Sequence, residues 1–249
     1  MKQGFLIPVY RHGKTACLLT ERLAAFGLPI IMIDDGNDAQ TRSALAECAA
    51  QTPQVVLIRL EKNTGKGGAV TAGLKKAGEL GLTHVLQIDA DGQHDCTRAA
   101  FFLEESAKHP DNIICGYPEF DETAPRSRVT GRKISTFWAA VTTLSPELKD
   151  VMCGFRVYPV EPSLRITRLS FIDRRMGFDA EILVRLYWKK VFPVFHPVKV
   201  SYPSDGISNF RMVRDNIVIS WTFCRLSVGM LIRLPLLAAI RIKRGKGQK

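Results

Sequence analysis

The chain has no CxxC pair: its six cysteines, Cys17, Cys48, Cys96, Cys115, Cys153 and Cys224, are scattered, several of them inside apolar runs. That spacing excludes a zinc site of paired thiolates and suits reduced thiols acting as small hydrophobes in a cytosolic setting. Aromatics are only 8% of residues and do not interleave with Lys and Arg in a recognisable binding motif, so no nucleic-acid partner is expected. No uncharged run approaches the roughly 18 to 20 residues of a membrane-spanning helix. The apolar stretch after Lys2 is too short for a signal peptide, lacks a small-residue cleavage site, and reads as a first strand. There is no internal repeat and no low-complexity segment.

What remains is a chain of 249 residues, 46% hydrophobic, long enough to bury one sizeable core with an appendage. Lys and Arg outnumber Asp and Glu by 35 to 24, giving a formal charge of +11 that favours anionic partners such as phosphates, nucleic acid or an anionic membrane surface, so a basic nucleic-acid-binding protein is the alternative from another functional class.

Short β-rich runs alternate with helical stretches up to about Gly116. The strands are expected at Phe5 to Val9, Ile30 to Ile33, Val55 to Leu60, Val85 to Asp89 and Ile113 to Cys115. Helices are expected near Thr15 to Phe26, Thr41 to Gln51, Gly68 to Leu80 and Thr97 to Lys108. This alternation predicts an α/β fold, a mainly parallel central sheet flanked by helices. A polar, proline-containing stretch from Tyr117 to Arg128 reads as a mobile loop leading into a helix from about Thr130 to Leu144. A strand over Asp150 to Tyr158, a helix over Phe178 to Lys190 and a β-like run from Val194 to Tyr202 complete a catalytic domain assigned to 1–210.

In open α/β sheets ligands collect at the carboxyl ends of the strands. Here those ends carry Tyr10-Arg11-His12, Asp34 to Asp38, Glu61 to Gly68 and Asp89 to Asp95. Asp89 and Asp91 end an apolar strand with Ala90 between them, and hard oxygen ligands there suit Mg²⁺ or Mn²⁺ held together with substrate phosphates. Gln93 or His94 would complete the shell or touch a sugar. The bland alternative is a solvated turn in which Asp95 caps the next helix. Asp34 and Asp35 place a carboxylate where it can accept from the N–H groups of a nucleobase, although Asp-Asp-Gly is also common turn chemistry. Asn63-Thr64-Gly65-Lys66-Gly67-Gly68 offers backbone N–H groups and Lys66 to an anion. It is no Walker loop, because Leu60 stands at the first required glycine, and Val70 breaks the GxGxxG pattern.

The segment 211–249 changes character: apolar runs after Asn216 are punctuated by Arg225, Arg233 and Pro235 and followed by Arg241, Lys243, Arg244, Lys246 and Lys249. Apolar or amphipathic helices with snorkelling arginines and a basic tail suit a membrane interface. Each basic residue near an anionic leaflet adds on the order of 1 kcal/mol. Packing on the domain or on a second copy is the alternative, and a homo-oligomer stays open.

From Phe5 to about Asn216 these residues resemble family 2 inverting glycosyltransferases of the A-type fold, and within them the dolichyl- or polyprenyl-phosphate sugar transferases. The stretches that carry the resemblance are Ile7 to Tyr10, Ile33 to Asp38, Asn63 to Gly67, Asp89 to Gln93, Asp150 with Cys153 to Arg156, and Gly177 to Glu181. The resemblance implies that Pro8, Tyr10, Ile33 and Asp35 hold the base and ribose, with Asp89 and Ala90 near the nucleotide. It implies Asp91 and Gln93 at the metal, Asp150 facing the acceptor, and Arg132 and Ser135 near the acceptor head group. Two positions depart from the family pattern: His12 stands where Glu is frequent, and Pro118 stands where an acceptor-phosphate Arg is expected.

The expected reaction moves a hexose from a nucleotide-diphosphate sugar to a lipid acceptor, polyprenyl phosphate first, at the cytoplasmic face of the membrane. A hydroxyl on an envelope lipid or lipid-like metabolite is the second acceptor class. Asp150 is the first candidate for base or acceptor-orienting residue, unless it serves only as an ion-pair partner of Arg156. Glu181 is the second, and Arg156 is placed with the acceptor.

Overall fold

Runs such as Ile30-Ile31-Met32-Ile33 are apolar at every position, as strands buried on both faces must be. In the computed structural model, which describes residues 1–120, 126–169, 171–200 and 210–247, they form one seven-stranded sheet. The strands are β1 (Gln3–Val9), β2 (Ile30–Asp35), β3 (Val55–Leu60), β4 (His84–Gln87), β5 (Ile113–Phe120), β6 (Arg156–Pro159) and β7 (Pro193–Val200), in the order β3-β2-β1-β4-β6-β5-β7. All pairings are parallel except those of β6, which runs antiparallel to β4 and β5.

The helices are α1 (Gly13–Ala24), α2 (Ala39–Gln51), α3 (Lys66–Glu79), α4 (Ala99–Lys108), α5 (Arg126–Thr143), α6 (Val160–Thr167), α7 (Phe178–Trp188), α8 (Met212–Ile232) and α9 (Leu234–Gly247). Alternate β2 side chains feed two cores: Ile31 and Ile33 meet Leu74 of α3 and Leu183 of α7, while Ile30 and Met32 meet Leu23 of α1 and Phe102 of α4. Asp38 caps α2 through Thr41 N at 2.8 Å, and Asp95 caps the turn before α4 through Thr97 N at 3.0 Å.

Four expectations change. The stretch from Asp150 to Phe155 is loop, and the strand begins only at Arg156. Helix α6 follows directly on that strand, where the sequence reading had no element. Residues Tyr117 to Phe120, read as loop, extend β5, because each is paired with β7 from Pro197 to Val200. Of the rest of that expected mobile loop, 126–128 already form the first turn of α5 and 121–125 lie outside the described residues, as do 201 and 202 of the expected β-like run.

The fourth change concerns the C-terminal arginines. Arg225 pairs with Glu181 at 2.9 Å and donates to the Phe171 carbonyl. Arg233 stacks on Trp188 at 4.7 Å, and Arg244 pairs with Glu147 at 2.7 Å over the Phe192 ring. These three therefore bind the domain instead of snorkelling outward, since an aromatic face or a carboxylate lies within reach. Helix α8 packs against α5 and α7 through Ile219, Phe223 and Leu226. Its other side carries Val213, Ile217, Trp221, Val228 and Leu231, each at least 59% exposed. By length and composition α8 could cross a membrane, its best window having a mean hydropathy of 1.2.

Candidate active site

The carboxyl ends of β1, β2 and β4 open into one cavity of about 660 Å³. Pro8 and Tyr10 come from β1 and its exit, Asp35 from β2, Lys66 from the start of α3, and Asp89, Ala90, Asp91, Gln93 and His94 from the segment after β4. Arg128, Arg132 and Ser135 of α5 face them, and Arg175, Asp179, Arg211 and Arg214 close the rim. A second cavity of about 350 Å³ shares Arg132 and adds Tyr117, Pro118, Lys149 and Asp150.

The two aspartates that end β2 divide their work. Asp34 is buried and accepts from Asn37 N at 3.0 Å and Asn37 Nδ2 at 2.8 Å. Asn37 in turn donates to Val9 O and accepts from Arg11 N, so it fastens the β1 exit to the β2 exit. Asp35 reaches the cavity, but its carboxylate accepts from Thr64 N, Thr64 Oγ1, Gly65 N and Asn63 Nδ2 at 2.7 to 3.1 Å. Its first task is to shape the loop between β3 and α3.

That loop does not present its lysine as a free phosphate ligand. Lys66 Nζ lies 2.8 Å from Asp89 Oδ2 and 2.6 Å from Asp179 Oδ2. Burial pulls the ammonium pKa down, but the two carboxylates more than reverse this and hold it above its ordinary range. The glycines serve packing: a Cβ on Gly67 would stand 2.6 Å from Phe178 Cβ and 2.7 Å from Asp173 O, and Gly68 N donates to Arg174 O at 2.9 Å.

Asp89 and Asp91 are chemically distinct. Asp89 accepts from Lys66 on one oxygen and from Gln87 Nε2 at 3.1 Å on the other. Burial raises its pKa, yet the Lys66 charge and His94 outweigh that and lower it overall. Among the described residues Asp91 keeps a single hydrogen bond, from Gln93 N at 3.0 Å, and it faces the cavity. Among the described residues no group of three or more His, Cys, Asp or Glu gathers to hold a metal. One carboxylate completed by diphosphate oxygens is the usual arrangement for Mg²⁺ and similar ions, so the residues present fit such an ion when substrate is bound. His94 sits beside them with Nε2 3.5 Å from Cys153 Sγ. Burial lowers its pKa, while Cys153, Asp89 and Asp91 raise it to about 9.

Across the cavity, Arg132 Nη1 donates to both oxygens of Asp150 at 2.9 Å. Asp150 Oδ1 also accepts from Met152 N and Cys153 N at 2.8 and 2.6 Å. The partner of Asp150 is therefore Arg132, and Arg156 is elsewhere.

Three residues expected at the site do not line either cavity. Ile33 is fully buried in the core, because its side chain points to the α3 face of the sheet. Arg156 is fully buried on β6 and donates to the Asp179 carbonyl at 2.7 Å, so it does not touch an acceptor. Glu181 is also fully buried, with Oε1 on Arg185 and Oε2 on Arg225 and Asp173 N, so it is no candidate base. Asp179, two residues before Glu181, is the carboxylate of that segment that faces the cavity. Successive helical residues are ~100° apart, so residues two apart lie on opposite sides and only one can face the site.

Comparison with known proteins places this geometry. The chain is 32% identical over 169 residues to a dolichyl-phosphate beta-glucosyltransferase of Dictyostelium discoideum, covering 64% of this chain and 50% of that one. It is 31% identical over 175 residues to the Homo sapiens dolichyl-phosphate beta-glucosyltransferase, covering 66% and 52%. The chain thus spans about half the length of these two relatives. An uncharacterized protein of Methanocaldococcus jannaschii is 27% identical and is covered over 90% of its length, with 82% of this chain. Among solved structures, glucosyl-3-phosphoglycerate synthase of Mycobacterium tuberculosis, in complex with Mn²⁺, UDP and glucosyl-3-phosphoglycerate, has a TM-score of 0.67. It shares 14% identity over 91% of this chain and 80% of that one. S. aureus TarS in complex with UDP has a TM-score of 0.54 at 16% identity, over 91% and 65%. The family model for glycosyl transferase family 2 matches residues 5–163, more than half of the chain, and the protein belongs to that family.

Proposed function

We propose that the protein transfers a sugar from a nucleotide-diphosphate donor to a lipid phosphate at a membrane surface. One observation carries the lipid assignment. The helices that wall the cavity mouth, α5 and α8, are also those with apolar outer faces: Ile134, Phe137 and Trp138 on α5, and Val213, Ile217 and Trp221 on α8. Exposed large apolar side chains gathered on two neighbouring helices favour an interaction site there. Helix α8 stays on the domain through Ile219, Leu226 and the Arg225 ion pair, which favours lying in the interface over spanning. The relatives named dolichyl-phosphate beta-glucosyltransferases support the same acceptor class.

The donor's base and ribose would lie against Pro8, Tyr10 and Asp35, with the diphosphate toward Asp91 and Gln93. A Mg²⁺ or Mn²⁺ ion bound there with the diphosphate supplies charge neutralisation for the leaving group. Asp91 supplies an oxygen ligand, and the Asp89–Lys66 pair holds the segment that carries it. On the acceptor side, Arg128, Arg132 and Ser135 would orient an anionic head group.

Asp150 already accepts two bonds from Arg132 and two from backbone N–H groups, an arrangement that weakens it as a base. A phosphate acceptor is already ionised near neutral pH and mainly needs positioning cations, so this saturation favours phosphate over hydroxyl. The test is an acceptor panel of polyprenyl phosphate, the matching polyprenol and a hydroxylated lipid, with UDP- and GDP-hexoses and Mn²⁺. Turnover confined to the phosphate supports the proposal. Equal turnover with the free alcohols, or with soluble acceptors in the absence of vesicles, would sink it.

A further inference from the structure

Around Asp89 lies an open ring of buried and half-buried polar residues, whose Arg156–Gln87 link is a strand pairing and not a hydrogen bond. Lys66 bridges Asp89 and Asp179. Arg156 Nη1 donates to the Asp179 carbonyl at 2.7 Å. Arg156 faces Gln87 in the antiparallel register of β6 and β4, and Gln87 Nε2 returns to Asp89 Oδ1 at 3.1 Å. Four elements of the fold contribute, α3, β4, β6 and α7, and two cations balance two carboxylates. Gly154 seals the ring from the acceptor side, since a Cβ there would collide with Asp89 Oδ2.

Arg156 is the costly member. It is completely buried, its Nε and Nη2 meet no described partner, and the same holds for Gln87 Oε1, Tyr158 OH and Asp179 Oδ1 around it. For stability alone, well-packed apolar residues do as well as buried charges or better. A buried guanidinium next to a cavity's acidic pair therefore points to placement of that pair.

We propose that Arg156, by holding Asp179 of the Asp179–Lys66–Asp89 chain and by packing beside Gln87 across β6 and β4, is a positioning residue that fixes the Asp89 carboxylate and so sets where Asp91 meets the donor's diphosphate. Asp89 is then the framed carboxylate and Asp91 the ligand-facing one. The donor role of Asp91 rests on the function proposed above; the frame itself is a property of the folded chain.

Arg156→Lys, Arg156→Met and Gln87→Met, the last removing only a neutral link, are each purified and checked for folding by circular dichroism. Amide hydrogen exchange in the absence of ligand is then read over residues 88–94. The expected result is protection lost there in Arg156→Met and Gln87→Met and kept in β1 and β2. Calorimetry with Mn²⁺ plus UDP or GDP should show affinity lowered about tenfold or more, with Arg156→Lys recovering most of it, the scale on which supporting residues tune a metal site. The acceptor KM should stay put while the donor KM rises. Unchanged exchange over 88–94 in both variants overturns the frame whatever the nucleotide does. A shifted acceptor KM with unchanged donor affinity overturns it too, by making Arg156 an acceptor contact. A wild type that binds neither nucleotide would defeat the donor reading, and the exchange result would still decide the frame.

Discussion

Asp34, Asp35 and Asp89 each leave the end of a strand and bind nearby backbone amides, an asparagine or a lysine, so the donor side of the cavity is cross-linked. The opposite side is built from two helices, α5 and α8, with Arg132 of α5 paired to Asp150 from a loop. Strand ends are fixed by their sheet neighbours, whereas α5 is held by side-chain packing on α7 and α8, through residues such as the fully buried Ala139, together with the Arg132–Asp150 pair. The two walls are held by different means, carboxylate and backbone bonds at the strand ends and helix packing with an ion pair opposite, which gives each side a distinct response to substitution.

The largest effect is expected on the donor side. Asp91→Asn should lower kcat about a thousand-fold, the equivalent of roughly 4 kcal/mol of charge stabilisation, without lowering the melting temperature. Retained turnover at saturating Mn²⁺ would remove Asp91 from the metal. Next comes the apolar face: Trp138→Ser with Trp221→Ser should cut partition into anionic vesicles roughly 100-fold, at about 1.5 kcal/mol per large side chain. Nucleotide binding should be untouched, and a fall in it would mean that the two faces are not separable.

Asp150→Asn should raise the acceptor KM about tenfold while the donor KM holds, because it weakens the grip on Arg132. A donor KM that moves with it would contradict the division between the two sides. Glu181→Gln is expected to cost about 3 kcal/mol in urea unfolding, since it strips a buried partner from Arg185 and Arg225. Its kcat per folded molecule should be unaltered, and a loss there would restore Glu181 as a catalytic candidate.

The smallest effect concerns acid. Burial lowers the pKa of His84, at the start of β4, below its ordinary 6.5. Between that lowered value and 6.5 the unfolded chain holds more protons than the folded one, so stability falls as pH drops through this window. The urea midpoint should therefore decline modestly from pH 7 to pH 5, and less so in His84→Gln. An equal decline in both would assign the loss elsewhere.

Tyr10, Asp35, Lys66, Asp89 and Asp91 were legible from sequence because each lies in a polar segment that follows an apolar run, and the strand-end rule converts that position into a place, whereas Pro8, inside β1, was expected only from the family resemblance. What the rule does not supply is depth or facing. Ile33 shares its face of β2 with Asp35 but lies two residues deeper in the core, and choosing between Asp179 and Glu181 required knowing which side of α7 is turned to the cavity. The Arg132–Asp150 pair joins a helix to a loop 18 residues later and leaves no local pattern. The four residues Arg156 to Pro159 carry no mark of their direction, so a reversed strand in a mainly parallel sheet could not be foreseen. The inward turn of Arg225, Arg233 and Arg244 was equally hidden, as it depends on where Glu181, Trp188 and Glu147 lie.

The reversal of β6 has a consequence for how such a chain can diversify. Because β6 starts at the edge where β4 and β5 end, the whole excursion from Phe120 through α5 to Phe155 leaves and re-enters the sheet on the cavity side. None of the described residues of that excursion pairs with β1, β2 or β3, so it supplies α5 and the Arg132–Asp150 pair to the site without contributing to the register of those strands. New acceptors could then be recruited by exchanging one insert over an unaltered nucleotide platform.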